Sequence, residues 1–121
     1  MTVSPYARFR VVHLAASGLL AIIALAHAGL TGRFYDTWSP EAVWFLGTGL
    51  GLLLLALLNL SHIGVEPCRQ PTARLVRAAN WGFAIFGLGA VLAVPEPQAY
   101  AVAGALGIQA IACRWTLPGP A

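Results

Sequence analysis

Charge is what this chain has least of: 9% of its 121 residues are Asp, Glu, Lys or Arg, lysine is absent, and the acidic side chains number four. A soluble domain carries roughly 25% charged residues. With 59% hydrophobic residues and a mean hydropathy of +0.76, a water-soluble fold could not hide the apolar surface that this sequence creates. Cysteine is nearly as scarce, with Cys68 and Cys113 only, which excludes a dense disulfide framework. HExxH, GxSxG, Walker and CxxC patterns are missing, so the chain lacks the usual sequence marks of metalloprotease, serine-hydrolase, nucleotide or dithiol chemistry. None of Asp36, Glu41, Glu66 or Glu96 lies inside a long apolar run, which leaves no carboxylate to exchange protons within a membrane.

What the sequence does have is long apolar stretches. Four of them, at about 11–30, 42–63, 75–94 and 98–115, approach the roughly 20 helical residues needed to cross a hydrocarbon core of about 30 Å. The expected fold is therefore all-α: a single-domain, integral-membrane four-helix bundle with up-down-up-down connections. The fourth stretch is the shortest and contains Gln109, so it is expected to pack among its neighbours; Arg77, early in the third, can snorkel to the headgroups. All seven basic residues are arginine. Arg8, Arg10, Arg69, Arg74, Arg77 and Arg114 fall on one side of this plan and Arg33 alone on the other, so the positive-inside rule puts both ends and the 64–74 loop in the cytoplasm. The pI of about 9.4 reflects that asymmetry and points to anionic lipid headgroups, with no nucleic-acid partner expected. Absent lysine with abundant alanine and glycine suggests a GC-rich bacterial genome, and hence a multi-pass protein of a bacterial inner membrane.

Residues 8–28 also read as a secretory signal, with Ala26-His27-Ala28 matching a small-x-small cleavage site. The run is as long as a full span, however, and the next segment crosses the other way, so an uncleaved first helix is the simpler expectation. In the loop that follows, Ser39 is placed to cap a helix with Pro40 at its first position and Glu41 favourable to its dipole. Phe34, Tyr35, Trp38 and Trp44 suit an interfacial aromatic belt. Pro67 and Pro71 are expected to stop the second helix, Thr72 to cap the third, and the terminal TLPGPA to be disordered. Both thiols face the cytoplasm in this plan and are expected to stay reduced. Gly47 and Gly51 form a GxxxG pair, which serves close internal packing or a homodimer, packing being preferred.

The candidate site is a polar layer near the cytoplasmic side. Asn59 and His62 are three residues apart on the second helix, His13 and Ser17 four apart on the first, and the third and fourth helices bring Asn80 and Gln109 to the same depth. Polar side chains in hydrocarbon must be satisfied, so these six are expected to point inward as ligand-binding residues or as interhelical glue. No catalytic or metal-ligating residue and no cofactor is assigned. An accessory role, binding a partner protein or lipid as part of a dimer or larger membrane complex, requires least of the sequence. Two further readings compete with it. Small-solute or proton-coupled transport by a dimer would use His13, His62 and Asn59 as its polar core, without the membrane-embedded Glu that the small multidrug-resistance family carries in its first helix. The third reading is b-type haem: His13 and His27 are 14 residues apart, about 21 Å along a helix and nearly in phase. That spacing resembles the paired histidines of the cytochrome b family, in which one helix ligates two stacked haems. Only His62 is available opposite them, so the resemblance reduces to one haem held by His13 and His62.

Overall fold

A computed structural model describes residues 5–63 and 70–116, and these are helical almost throughout. In chain order the helices are α1 (Pro5–Gly29), α2 (Thr31–Phe34), α3 (Pro40–Ile63), α4 (Gln70–Ala93) and α5 (Pro97–Thr116). Proline marks the start of three of the long ones. Pro5, Pro40 and Pro97 each stand at a first helical position, where the missing N–H would have had no partner and the fixed φ suits the helix. At α3 the start is reinforced by Ser39, whose Oγ accepts the Ala42 N–H at 3.3 Å. The α4–α5 turn is as short as three residues; the Glu96 carbonyl accepts the Ala99 N–H at 2.9 Å.

Two local expectations change. Residues 31–34, read as loop, form the single turn α2, closed by the Tyr35 N–H on the Thr31 carbonyl at 3.0 Å. Thr72 is not a cap, because α4 already begins at Gln70. Pro71 thus sits in the first turn of α4, where proline is tolerated, instead of ending the helix before it. The expectations for Pro67, for Cys68 and for the tail beyond Thr116 lie outside the described residues.

Three helices are long and apolar enough to cross a membrane: Ala7–Gly29, Pro40–Ile63 and Thr72–Ala93. Their surfaces agree with that use. Val11, Leu19, Ile22, Leu25, Leu54, Leu57, Leu75, Ile85, Leu88 and Leu92 all face outward. The buried set, in contrast, includes His13, Ser17, Asn59, Asn80 and Gln109. An exterior of large aliphatic side chains around a partly polar interior reverses the water-soluble pattern and suits a hydrocarbon solvent. The 20 residues of α5 would reach about 30 Å, but Gln98, Gln109 and Arg114 dilute its apolar character.

The core is made close by small side chains. Leu20, Leu52, Leu55 and Leu106 pack with Ala24, Ala56, Ala84, Ala105 and Ala110, drawing on all four long helices. Two glycines set the closest approaches. A Cβ at Gly49 would lie 2.9 Å from the Ala28 backbone nitrogen and 3.2 Å from the Ala24 carbonyl oxygen, so α1 and α3 touch backbone to backbone there. At Gly87 it would lie 3.2 Å from Ala103 Cα, which brings α4 onto α5 in the same way. The GxxxG pair is not the contact: Gly47 has nothing within 4 Å and Gly51 meets only the Phe83 ring, at 3.5 Å. The close approach belongs instead to Gly49, the glycine between the two members of the motif. Around the assembly, α1 packs broadly on α3 and α5, α4 packs mainly on α5, and α3 meets α4 along a narrow seam.

Candidate functional site

The narrow seam is where the polar residues concentrate. Asn59 of α3 and Asn80 of α4 are both buried. Each amide nitrogen donates to the carbonyl of the residue four positions earlier in its own helix, Asn59 to Leu55 at 2.8 Å and Asn80 to Val76 at 2.9 Å. Those bonds settle which end of each amide is nitrogen. The two amides then bond reciprocally: Asn80 Nδ2 donates to Asn59 Oδ1 at 2.8 Å, and Asn59 Nδ2 donates to Asn80 Oδ1 at 3.1 Å.

From this pair the network reaches the other two long helices. Gln109 Nε2 of α5 donates to Asn80 Oδ1 at 2.8 Å, and His13 Nε2 of α1 lies 2.8 Å from Asn59 Oδ1. Because that amide oxygen can only accept, His13 must carry a proton on Nε2. Its other nitrogen, Nδ1, lies 2.6 Å from Thr116 Oγ1 at the end of α5. In the neutral imidazole Nδ1 is an acceptor, so the Thr116 hydroxyl donates to it. The same oxygen is 3.1 Å from the Ala112 carbonyl oxygen, giving one hydroxyl proton a choice of two acceptors. That choice has a chemical consequence. If His13 takes a second proton, Nδ1 becomes the donor and Thr116 need only rotate its hydroxyl to the Ala112 carbonyl for every group to remain bonded.

The structure thus joins His13, Asn59, Asn80 and Gln109, four of the six residues singled out in the sequence, and adds Thr116. Ser17, fully buried one turn from His13, is not joined: its Oγ, like Gln109 Oε1, has no hydrogen-bond partner. His62 does not join either. Its Nδ1 donates to the Leu58 carbonyl of its own helix at 2.8 Å and lies 3.1 Å from the Ser61 hydroxyl, leaving the ring half-buried and outside the network. Three residues beyond Asn59 is a turn of about 300°, and the imidazole completes the difference by folding back on its own backbone. His27, the third histidine, stacks on Phe45 with ring centroids 3.7 Å apart, and Phe45 in turn meets Tyr35 and Phe34.

Thr116 escaped sequence reasoning because it stands where the chain runs into Leu-Pro-Gly-Pro. A signal was present, since Gln109, Cys113 and Thr116 follow one another at intervals of four and three and so share a face of α5. All three are buried, with Cys113 against Ala73 and Val76 of α4. Both nitrogens of His13 are engaged, so its use as a haem ligand would cost the bond to Asn59 or to Thr116. Among the described residues no group of three or more His, Cys, Asp and Glu side chains is placed to hold a metal ion. Compared with known protein families, with curated proteins and with solved structures, the chain matches none.

Proposed function

We propose that this protein is a four-span bacterial inner-membrane component, N- and C-termini in the cytoplasm, that associates with a partner or with lipid and performs no turnover of its own. α5 is the fourth span in this reading, and the arginine asymmetry sets the orientation. The observation that carries the reading is that the nitrogens of the polar layer bond within it. His13 uses both ring nitrogens, and Asn59, Asn80 and Gln109 use their amide nitrogens, on one another or on their own helices. With those bonds made, and Ser17 Oγ and Gln109 Oε1 as its unpartnered atoms, the layer acts as a clamp holding four helices in register, at about 0.6 to 2 kcal/mol per bond. Binding is then the work of the outer surfaces: the loop after α1 and the arginine-lined cytoplasmic rim.

Native mass spectrometry of the full chain in mild detergent, with a visible spectrum of the same sample, tests this. The expected result is one stoichiometric protein partner or retained lipid, and no Soret band. A homodimer that drives solute uptake in vesicles would overturn it in favour of transport. That second reading is supported by one feature, the ability of His13 to accept a proton by rotation of the Thr116 hydroxyl alone.

A further inference from the structure

Within the network of His13, Asn59, Asn80, Gln109 and Thr116, the imidazole alone can change its charge near neutral pH. Its Nε2 is committed to donating to Asn59 Oδ1 at 2.8 Å, and Asn59 is itself held by its bond to the Leu55 carbonyl. Nδ1 is the basic position. It lies 2.6 Å from Thr116 Oγ1, an oxygen able to accept as well as donate. The Ala112 carbonyl oxygen, 3.1 Å from that hydroxyl, can take the hydroxyl proton instead. No carboxylate among the described residues stands beside the ring. Asp36 follows α2 at the far end of α1, Glu41 opens α3, and Glu96 lies at the other end of α5 from Thr116. From α3 the ring meets Asn59, while His62 turns onto its own helix. From α5 it meets Thr116, whereas Cys113 packs on Ala73 and Val76, and Arg114 is exposed. On α4, Asn80 belongs to the layer, Arg77 precedes it by one turn and Arg74 is exposed; Arg8 and Arg10 of α1 are exposed, and α2 with Arg33 lies at the opposite end. A positive charge on His13 is thus left to two hydrogen bonds, which must offset the cost of burial.

We propose that His13 is a reversible proton-binding site that takes its second proton on Nδ1, with Thr116 as the acceptor. An N–H bond forms at Nδ1 with a proton drawn from water, and the imidazole gains one positive charge. The Thr116 hydroxyl keeps its own proton and turns it to the Ala112 carbonyl. No covalent bond breaks, no helix moves, and each group bonded beforehand stays bonded. The site goes beyond the proposed binding role and rests on that reading for its sidedness alone. With the start of α1 and the end of α5 at the cytoplasmic face, its occupancy follows cytoplasmic acidity and needs no turnover.

The test is nitrogen NMR of the full chain in detergent micelles, with isotope-labelled histidine, from about pH 8 to about pH 5. His27→Gln and His62→Gln assign the signals of the three histidines. His13 should show the Nε2–H tautomer at the alkaline end and a doubly protonated ring at the acid end, in a chain that stays folded. Thr116→Val should weaken proton binding about tenfold, a midpoint shift of about one pH unit, because the charge-assisted bond it removes is stronger than the neutral one. Thr116→Ser, which keeps the hydroxyl, should bind within about threefold of the unaltered chain. A ring that stays neutral throughout, an Nδ1–H tautomer at the alkaline end, protonation only on unfolding, or an unmoved midpoint in Thr116→Val overturns the proposal. If the valine variant does not fold, the tautomer and titration of the unaltered chain still decide. Micelles expose both ends of the bundle to one buffer, so orientation does not enter. Native mass spectra without partner or lipid refute the binding reading and leave the titration standing, so the two failures are separable.

Discussion

Replacing Asn59 with leucine is the most direct test of the polar clamp. The change keeps the side-chain size and suits a helix, but it removes three interhelical hydrogen bonds at once: one to His13 and two to Asn80. At about 0.6 to 2 kcal/mol each these total roughly 2 to 6 kcal/mol. The His13 Nε2–H is left buried without an acceptor, while leucine's own burial returns part of the loss, so we expect a net destabilisation of about 2 to 4 kcal/mol. Unfolding by denaturing detergent, followed by tryptophan fluorescence, reads this as a lower midpoint. Asn80→Leu alone should behave similarly, and the double variant should cost less than the sum, since removing both members of a bonded pair leaves fewer orphaned groups; the coupling should be about 1 to 2 kcal/mol. An Asn59→Leu protein within about 0.5 kcal/mol of the unaltered chain would refute the argument, because that is the scale of an ordinary surface substitution. A vanishing coupling would do the same for the amide pair.

Other expectations follow from single contacts. Gly49→Ala should destabilise by about 1 to 3 kcal/mol because the added methyl meets α1 backbone, whereas Gly47→Ala, with open space around it, should be neutral or stabilise by up to about 1 kcal/mol; thermal melts of the two compare them directly. Thr116→Val should cost about 1 to 3 kcal/mol by orphaning His13 Nδ1, and Thr116→Ser should recover most of it in the same melt. His62→Ala should stay within about 0.5 kcal/mol of the unaltered protein in detergent unfolding, since among the described residues that ring bonds only to its own helix turn; a larger loss would mean it joins the layer after all.

Which parts of this arrangement were legible in advance follows from what periodicity can and cannot carry. Long apolar runs announce helices, and Ser39-Pro40 fixes the start of one of them through capping chemistry that depends on neighbouring residues alone. Asn59 and Asn80 were readable because an amide in hydrocarbon has few alternatives to another amide. Side-chain rotamers are a different matter. His62 has the residue type and the depth of a network member, but its own i−4 carbonyl competes for the ring and wins. Gly49 was overlooked for a related reason: spacing identifies a pair of glycines, while the direction each faces depends on how the helix is rotated against its partner. Thr116 shows the effect of context, since proline and glycine just beyond it masked a helical face that begins at Gln109.

The bond between His13 and Thr116 spans 103 positions in the sequence, and that separation governs how the protein can be made. The chain as far as Thr116 must leave the ribosome before the imidazole of the first helix finds the hydroxyl that donates to its Nδ1. Until then that nitrogen is without this partner, so a chain cut short before Thr116 would bury an unpaired polar group.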